Sequence, residues 1–236
     1  MSNAWFQFKQ FRISQDRTAM KVGTDGVLLG AWAECDQCHN ILDVGTGTGL
    51  LALMLAQKNP DALVYAIEID LDAALQAAEN VKASVFLDRI RVVHADFRCW
   101  EPDSTTKFDL IICNPPFFTK SLKNPDNQRA IARHDEELPI DLLVFRSMDF
   151  LNDNGKLAMI LPVGRFKEAI LIAEEAGLQL HRILNVRGNQ DAPVKRVLLE
   201  WGMEKRALKT AELFIETGVR GIFSEEYRRL TDMFYL

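Results

Sequence analysis

The chain has 236 residues, 48% of them hydrophobic and 26% charged, a globular composition that excludes a disordered or low-complexity protein. Its 28 basic residues against 33 acidic ones leave a formal charge of −5, so a nucleic-acid partner must be met by local basic clusters rather than by bulk charge. The longest apolar run, residues 50–56, is far short of the ~20 that a membrane-spanning helix needs, and four cysteines are too few for a disulfide framework.

Residues 1–4 read as a tag remnant and residues 5–34 as an N-terminal extension. The mixture of Phe6, Lys9, Phe11 and Arg12 has no resemblance to a secretory signal. Residues 41–44 form a short buried strand ending at Gly45, and residues 50–57 have helical composition without a β-branched side chain. A second strand spans 64–69. An alanine-rich helix follows over 70–83, with Leu71, Ala74, Leu75 and Ala78 on one face. Strands are expected at 90–93 and 108–113, then a helix at 140–150, a strand at 156–161 and a helix at 166–176. Strand-like runs at 178–185, 196–201 and 213–216 precede a final helix over 224–234. The alternation predicts βαβ units, a mostly parallel sheet and, from the closely joined last strands, an antiparallel edge. With no repeat and no Pro-, Gly- or Ser-rich linker, a single reduced, cytoplasmic domain over 1–236 is expected, its core at 35–236.

Asp43-Val44-Gly45-Thr46-Gly47-Thr48-Gly49 leaves a strand and enters a helix. Glycines allow a tight turn and close approach of a ligand, and the helix start offers N–H donors. The spacing fails the G-x-G-x-x-G dinucleotide fingerprint, which disfavours a nicotinamide dehydrogenase, and the preceding acid would repel a pyrophosphate. Glu68 closes the second strand, placed to accept both hydroxyls of a ribose. Asp96 and Phe97 follow the third strand, an acceptor and a ring suited to the amino group and face of an adenine. A nucleoside whose other end is cationic fits these three stations, and S-adenosylmethionine is such a molecule.

The fourth strand runs into Asn114-Pro115-Pro116-Phe117. The prolines fix φ and present rigid carbonyls. An exocyclic amino nitrogen is a poor nucleophile because its lone pair is delocalised. If the Asn114 side-chain oxygen and the Pro115 carbonyl each accept one N–H, that lone pair turns toward a methyl donor; positioning replaces a strong base. Phe117 would stack on the planar substrate.

These four motifs resemble the class I S-adenosylmethionine-dependent amino-methyltransferases. End to end, the chain is similar to the bacterial tRNA1(Val) (adenine(37)-N6)-methyltransferase family. The closer resemblance lies in residues 8–11, 19–32, 50–57 and 196–199, in Ser224, Glu225 and Tyr227, and in the tail Phe234-Tyr235-Leu236. The resemblance implies a Rossmann-like α/β fold, a seven-stranded mostly parallel sheet with an antiparallel last strand and helices on both faces. It implies methyl transfer to N6 of adenine 37, just 3′ of the anticodon of a valine tRNA, with no metal and no obligate protein partner. Asp43, Gly45 and Gly47 would line the methionine moiety, Glu68 the ribose, Asp96 and Phe97 the adenine, and Lys21 and Thr24 belong to a segment over the cofactor. Phe117 stands where many relatives carry tyrosine.

Three basic clusters could meet RNA phosphates. Residues 5–21 carry Lys9, Arg12, Arg17 and Lys21 against Asp16. The loop after the reactive turn carries Lys120, Lys123, Arg129 and Arg133 against Asp126. Arg182, Arg187, Lys195 and Arg196 face only Asp191 in sequence. The loop cluster is the expected RNA contact because it follows the catalytic turn. Cys35-Asp36-Gln37-Cys38-His39 matches a haem-attachment pattern but reads as a surface turn. His94, His134 and His181 show no nucleophile–base pattern. The rival readings are an rRNA, DNA or protein-glutamine amino-methyltransferase with the same reactive turn, and a non-catalytic binding module. The rRNA and glutamine enzymes as families carry a separate N-terminal substrate domain, for which the position of Gly45 leaves little room.

Overall fold

The computed structural model describes residues 3–18, 20–103, 105–116 and 138–236. An N-terminal hairpin of β1 (Trp5–Gln7) and β2 (Arg12–Ser14) precedes helix α1 (Thr24–Trp32). There follow β3 (Asn40–Val44), α2 (Leu50–Lys58), β4 (Leu63–Glu68), α3 (Leu71–Lys82), β5 (Ile90–His94) and β6 (Phe108–Cys113). After α4 (Ile140–Phe150) come β7 (Leu151–Pro162), α5 (Phe166–Glu175), β8 (Gln179–Arg187), β9 (Val194–Gly202), β10 (Lys209–Phe214) and α6 (Glu225–Thr231).

The main sheet has eight strands in the order β10-β8-β9-β7-β6-β3-β4-β5. It therefore has one strand more than expected: β10 joins the edge, parallel to β8. The antiparallel strand is not the last one but β9, inserted between β7 and β8. Chain order reverses between β3 and β6, which opens a crevice at their carboxyl ends.

Side chains alternate across each strand and divide the core in two. Ile41, Leu110, Ile112, Ala158 and Ile160 face the layer holding α1 and α2. Leu42, Val44, Ile111, Met159 and Leu161 face the layer holding α4 and α5. Helix α2 is buried on every side over residues 50–56, because α1 covers the face turned away from the sheet. Gly26 and Gly30 permit that approach: a Cβ at Gly30 would lie 2.8 Å from the Met54 sulfur, and one at Gly26 would lie 2.9 Å from Leu50. Lys58 Nζ donates to the Ala31 carbonyl at 2.8 Å and also to that of Ala33, closing the C-terminus of α1.

Helix α3 is capped by Asp70, whose side chain accepts the Ala73 amide at 2.8 Å. Its buried face is Ala73, Ala74, Ala77 and Val81, while Leu71 and Leu75 are exposed. The face expected from the leucines is thus displaced, since α3 packs its small residues close against the glycine loop: a Cβ at Gly49 would meet that of Ala77 at 3.4 Å. Residues 35–39 form the expected surface turn, with Asp36, Gln37 and His39 exposed, but the Cys35 and Cys38 side chains are buried. Asn59 donates to both of their carbonyls, at 2.6 and 2.8 Å, and draws the turn inward. Burial raises both thiols, that of Cys38 to about 12.

Candidate active site

After β3 the chain turns through Gly45, Gly47 and Gly49 at φ values of 71°, 57° and 82°. That left-handed region costs an ordinary L-residue roughly 1–2 kcal/mol. The amides of Gly45 and Thr46 both donate to the Ile67 carbonyl at 2.9 Å and fix the loop to β4. Asp43 lies beneath it, fully buried, and does not line the cleft as expected, because the turn folds across its side chain. Its Oδ2 accepts the Thr46 hydroxyl at 2.5 Å and the Ala52 amide at 3.2 Å; its Oδ1 has no partner among the described residues. Burial pushes the Asp43 carboxyl up to about 7 despite those two hydrogen bonds.

The surface opens on both sides of Gly45. One cleft, of about 440 Å³, is lined by Lys21, Thr24, Gly47, Asn114 and Arg196 among others. The other is a small apolar recess of about 50 Å³ between Ile69, Ala95, Asp96, Phe97 and Leu138. Glu68, at the end of β4, accepts the Gly47 amide on Oε2 at 2.8 Å and the Asp70 amide on Oε1 at 3.0 Å. Each carboxylate oxygen has a second lone pair, so both retain the acceptor capacity that a ribose diol needs. Arg98 forks onto Asp96, with Nε at 2.9 and 2.8 Å and Nη2 at 2.7 Å, and these bonds hold the Asp96 carboxyl below its usual range. Phe97 is a wall of the recess and a core residue at once, its ring set edgewise to Phe150 at 5.8 Å.

Asn114 follows directly on β6 and borders the larger cleft, where its amide nitrogen would lie 3.7 Å from a Cβ at Gly26. Pro115 is buried and Pro116 exposed. Donor and acceptor chemistry here suits S-adenosylmethionine: Cβ atoms added at Gly45 and Gly47 would project into open space, the buried Glu68 carboxylate at the end of β4 keeps acceptor capacity although it lines neither opening, and an apolar recess is edged by a carboxylate. Among the described residues no cluster of three metal-binding side chains occurs.

The chain matches the methyltransferase small domain family over residues 22–162. A Parabacteroides distasonis protein named tRNA1(Val) (adenine(37)-N6)-methyltransferase is 46% identical over 237 residues, covering 100% of this chain and 99% of its own. A Porphyromonas gingivalis protein of the same name is 45% identical over 240 residues, covering 98% and 94%. The chain belongs to this methyltransferase family. Among solved structures, a "predicted O-methyltransferase" from Agrobacterium tumefaciens superposes with a TM-score of 0.70 at 19% identity, covering 89% of this chain and 96% of that one. A tRNA m1G37 methyltransferase of M. jannaschii gives 0.57 at 16% identity, covering 86% and 57%. At such identities the likeness carries the fold alone, the three-layer methyltransferase architecture described above.

The fold gathers Lys21, Thr24, Gly45, Gly47 and Asn114 around one cleft and Asp96 with Phe97 around the adjoining recess. Phe117, Lys120, Lys123, Arg129 and Arg133 lie outside the described residues. Lys9 does not stand as an isolated cation: its Nζ donates to the Asp232 carbonyl at 2.5 Å and pairs with the Asp232 carboxylate at 3.4 Å. Arg12 stacks over the exposed Trp5 ring at 4.2 Å. The third cluster is also largely paired, Arg182 with Glu34 and Glu200, Arg187 with Glu212, and Arg196 with Asp25. Sequence reasoning set residues 21–25 over the cofactor without giving Asp25 a role of its own, and it grouped Arg196 with cations that could meet RNA phosphates without placing it at the cleft. It also missed Asn80, which is buried and joins three segments: its carboxamide accepts the Ser14 amide at 2.8 Å and donates to the carbonyls of Ser14 and Thr48 at 2.9 Å. A polar residue on the buried side of an alanine-rich helix is the only signal that could have marked it.

Proposed function

We infer that this protein transfers a methyl group from S-adenosylmethionine to N6 of adenine 37 in valine tRNA. Full-length similarity to relatives bearing that name, with Asn114 bordering the same cleft as the glycine loop, carries the reading. The cofactor, when bound, supplies an electrophilic methyl group. The chain's part is positional. Gly45 and Gly47 give it a close-fitting backbone, Glu68 takes the ribose hydroxyls, and Asp96 and Phe97 take the adenine edge and face. Lys21 and Thr24 cover the methionine end. Asn114 Oδ1 and the Pro115 carbonyl accept the two N–H groups of the target amine, which directs its lone pair at the methyl carbon. Phe117 stacks on the target base. As the N–C bond forms, the methyl carbon–sulfur bond would break with its electron pair left on sulfur, giving S-adenosylhomocysteine, and the one surplus proton on nitrogen would pass to water as the amine leaves its two acceptors. Extruding an anticodon-loop base costs less than flipping one from a duplex.

Labelled S-adenosylmethionine with unmodified valine tRNA, followed by nucleoside mass analysis, tests the reading. N6-methyladenosine is expected from the wild type. Asn114→Ala should lose about 10²–10³-fold in kcat, the scale of removing an oriented catalytic hydrogen-bonding group, while binding the cofactor within about twofold of wild type. Cofactor binding without tRNA methylation would move the substrate to rRNA, DNA or a protein glutamine.

A further inference from the structure

Arg196 is the third residue of β9, and β9 runs antiparallel to its neighbours. Its first residues therefore sit at the edge of the sheet where the parallel strands end: Arg196 is in register with Pro162, the last residue of β7. In the sheet order, Gly45, Glu68 and Asp96 follow β3, β4 and β5 on one side of the reactive turn, whereas β9 lies two strands beyond β6 on the other. Two strand spacings are about 10 Å, the same order as the span from a nucleotide's base amine to its own phosphate. Arg196 nevertheless borders the same cleft as Asn114.

The guanidinium is held in place. Its Nε donates to Asp25 Oδ2 at 2.7 Å and its Nη1 to the Lys195 carbonyl at 3.2 Å, and among the described residues Nη2 makes no hydrogen bond. Its side chain is 35% exposed and that of Asp25 29%, so the pair faces the cleft while partly shielded from water. An oriented guanidinium with donors to spare, on the substrate side of the turn, is suited to a phosphate oxygen. We propose that Arg196 binds a backbone phosphate of the target nucleotide and that Asp25 positions its guanidinium for this contact. The assignment rests on the reading of RNA as the substrate.

Arg196→Gln keeps a donor for Asp25 and removes the charge. It is expected to raise KM for tRNA about tenfold and to reduce the slope of log affinity against log salt by about 0.7–0.9, the signature of one lost phosphate contact. KM for S-adenosylmethionine and the melting temperature should stay close to wild type. Arg196→Lys should restore the salt slope and part of the tRNA affinity. An unmoved tRNA KM and salt slope in the Gln variant would overturn the proposal, as would a rise confined to the cofactor KM. Wild-type protein run in parallel separates the two failures. If it methylates no tRNA, the substrate reading falls and this inference with it; if it methylates and the Gln variant matches it, this inference falls alone.

Discussion

Asp43 shows how a single residue can serve a site from beneath. Its side chain ties Thr46 to the start of α2, and the loop that results hides it from the cleft. Burial lifts its carboxyl from 3.8 to about 7 in the folded chain. The unfolded chain therefore gives up this proton first. The contribution to stability is complete below about pH 3.8 and is lost as pH rises through 7. Asp43→Asn keeps a neutral acceptor for Thr46 and escapes that loss. Its stability relative to wild type should improve between pH 4 and 8 by roughly 4 kcal/mol, read from denaturant melts across the range. A flat difference would show that Asp43 ionises normally in the folded protein.

At the scale of elements, the site depends on helices and strands that touch it indirectly. Asn80 of α3 joins β2 to the carbonyl of Thr48 in the glycine loop. One residue further along, Gln15 accepts the Val22 amide at 2.8 Å and anchors the segment that passes over the cleft. The N-terminal extension and the glycine loop are thus a single hydrogen-bonded unit. Asn80→Ala would leave buried backbone groups unpaired at a cost of about 1–3 kcal/mol. It should also raise KM for S-adenosylmethionine several-fold, because the disturbed carbonyl belongs to the loop itself. Thermal melts beside cofactor titration check both effects; a melting change with an unaltered cofactor KM would reduce Asn80 to a packing role.

Across the described residues, five of the eight cations in the N-terminal cluster and the 182–196 cluster pair with acids distant in the chain. Lys9 meets Asp232, Arg17 meets Glu79 at 2.9 Å, and Arg182 meets Glu34 and Glu200, each at 3.1 Å. With a net charge of −5, RNA affinity has to come from cations that keep donors for a phosphate, as Arg196 does beside Asp25. Lys120 and Lys123, which follow Asn114-Pro115-Pro116-Phe117 in sequence, are the proposed source. Charge reversal at both is expected to weaken tRNA binding by about tenfold or more at moderate salt, with cofactor affinity intact. Equal tRNA affinity in the double variant would transfer the role to the cations of the cleft. No helix among the described residues is long and apolar enough to cross a membrane.

Apolar runs and their punctuation determined the central strands. The strand over Phe108–Cys113 and the helix over Ile140–Phe150 were legible to the residue, and β3, β4 and β5 to within one. Glycine spacing and the acids at strand ends were legible too, since each is a local requirement written in contiguous residues. Tertiary structure alone decided the rest. Leucines pointed to the wrong face of α3 because packing against the glycine loop favoured alanine there. The hairpin β1–β2 and helix α1 carry weak local signals, and their burial by Phe8, Ile13 and Leu28 comes from contacts far away in sequence. Arg196 became a cleft residue only because β9 is inserted antiparallel between β7 and β8, which carries the start of a late strand to the edge where early strands end. Periodicity reports on neighbours a few residues apart, whereas the meeting of residues 25, 114 and 196 is set by the order and direction of strands in the sheet.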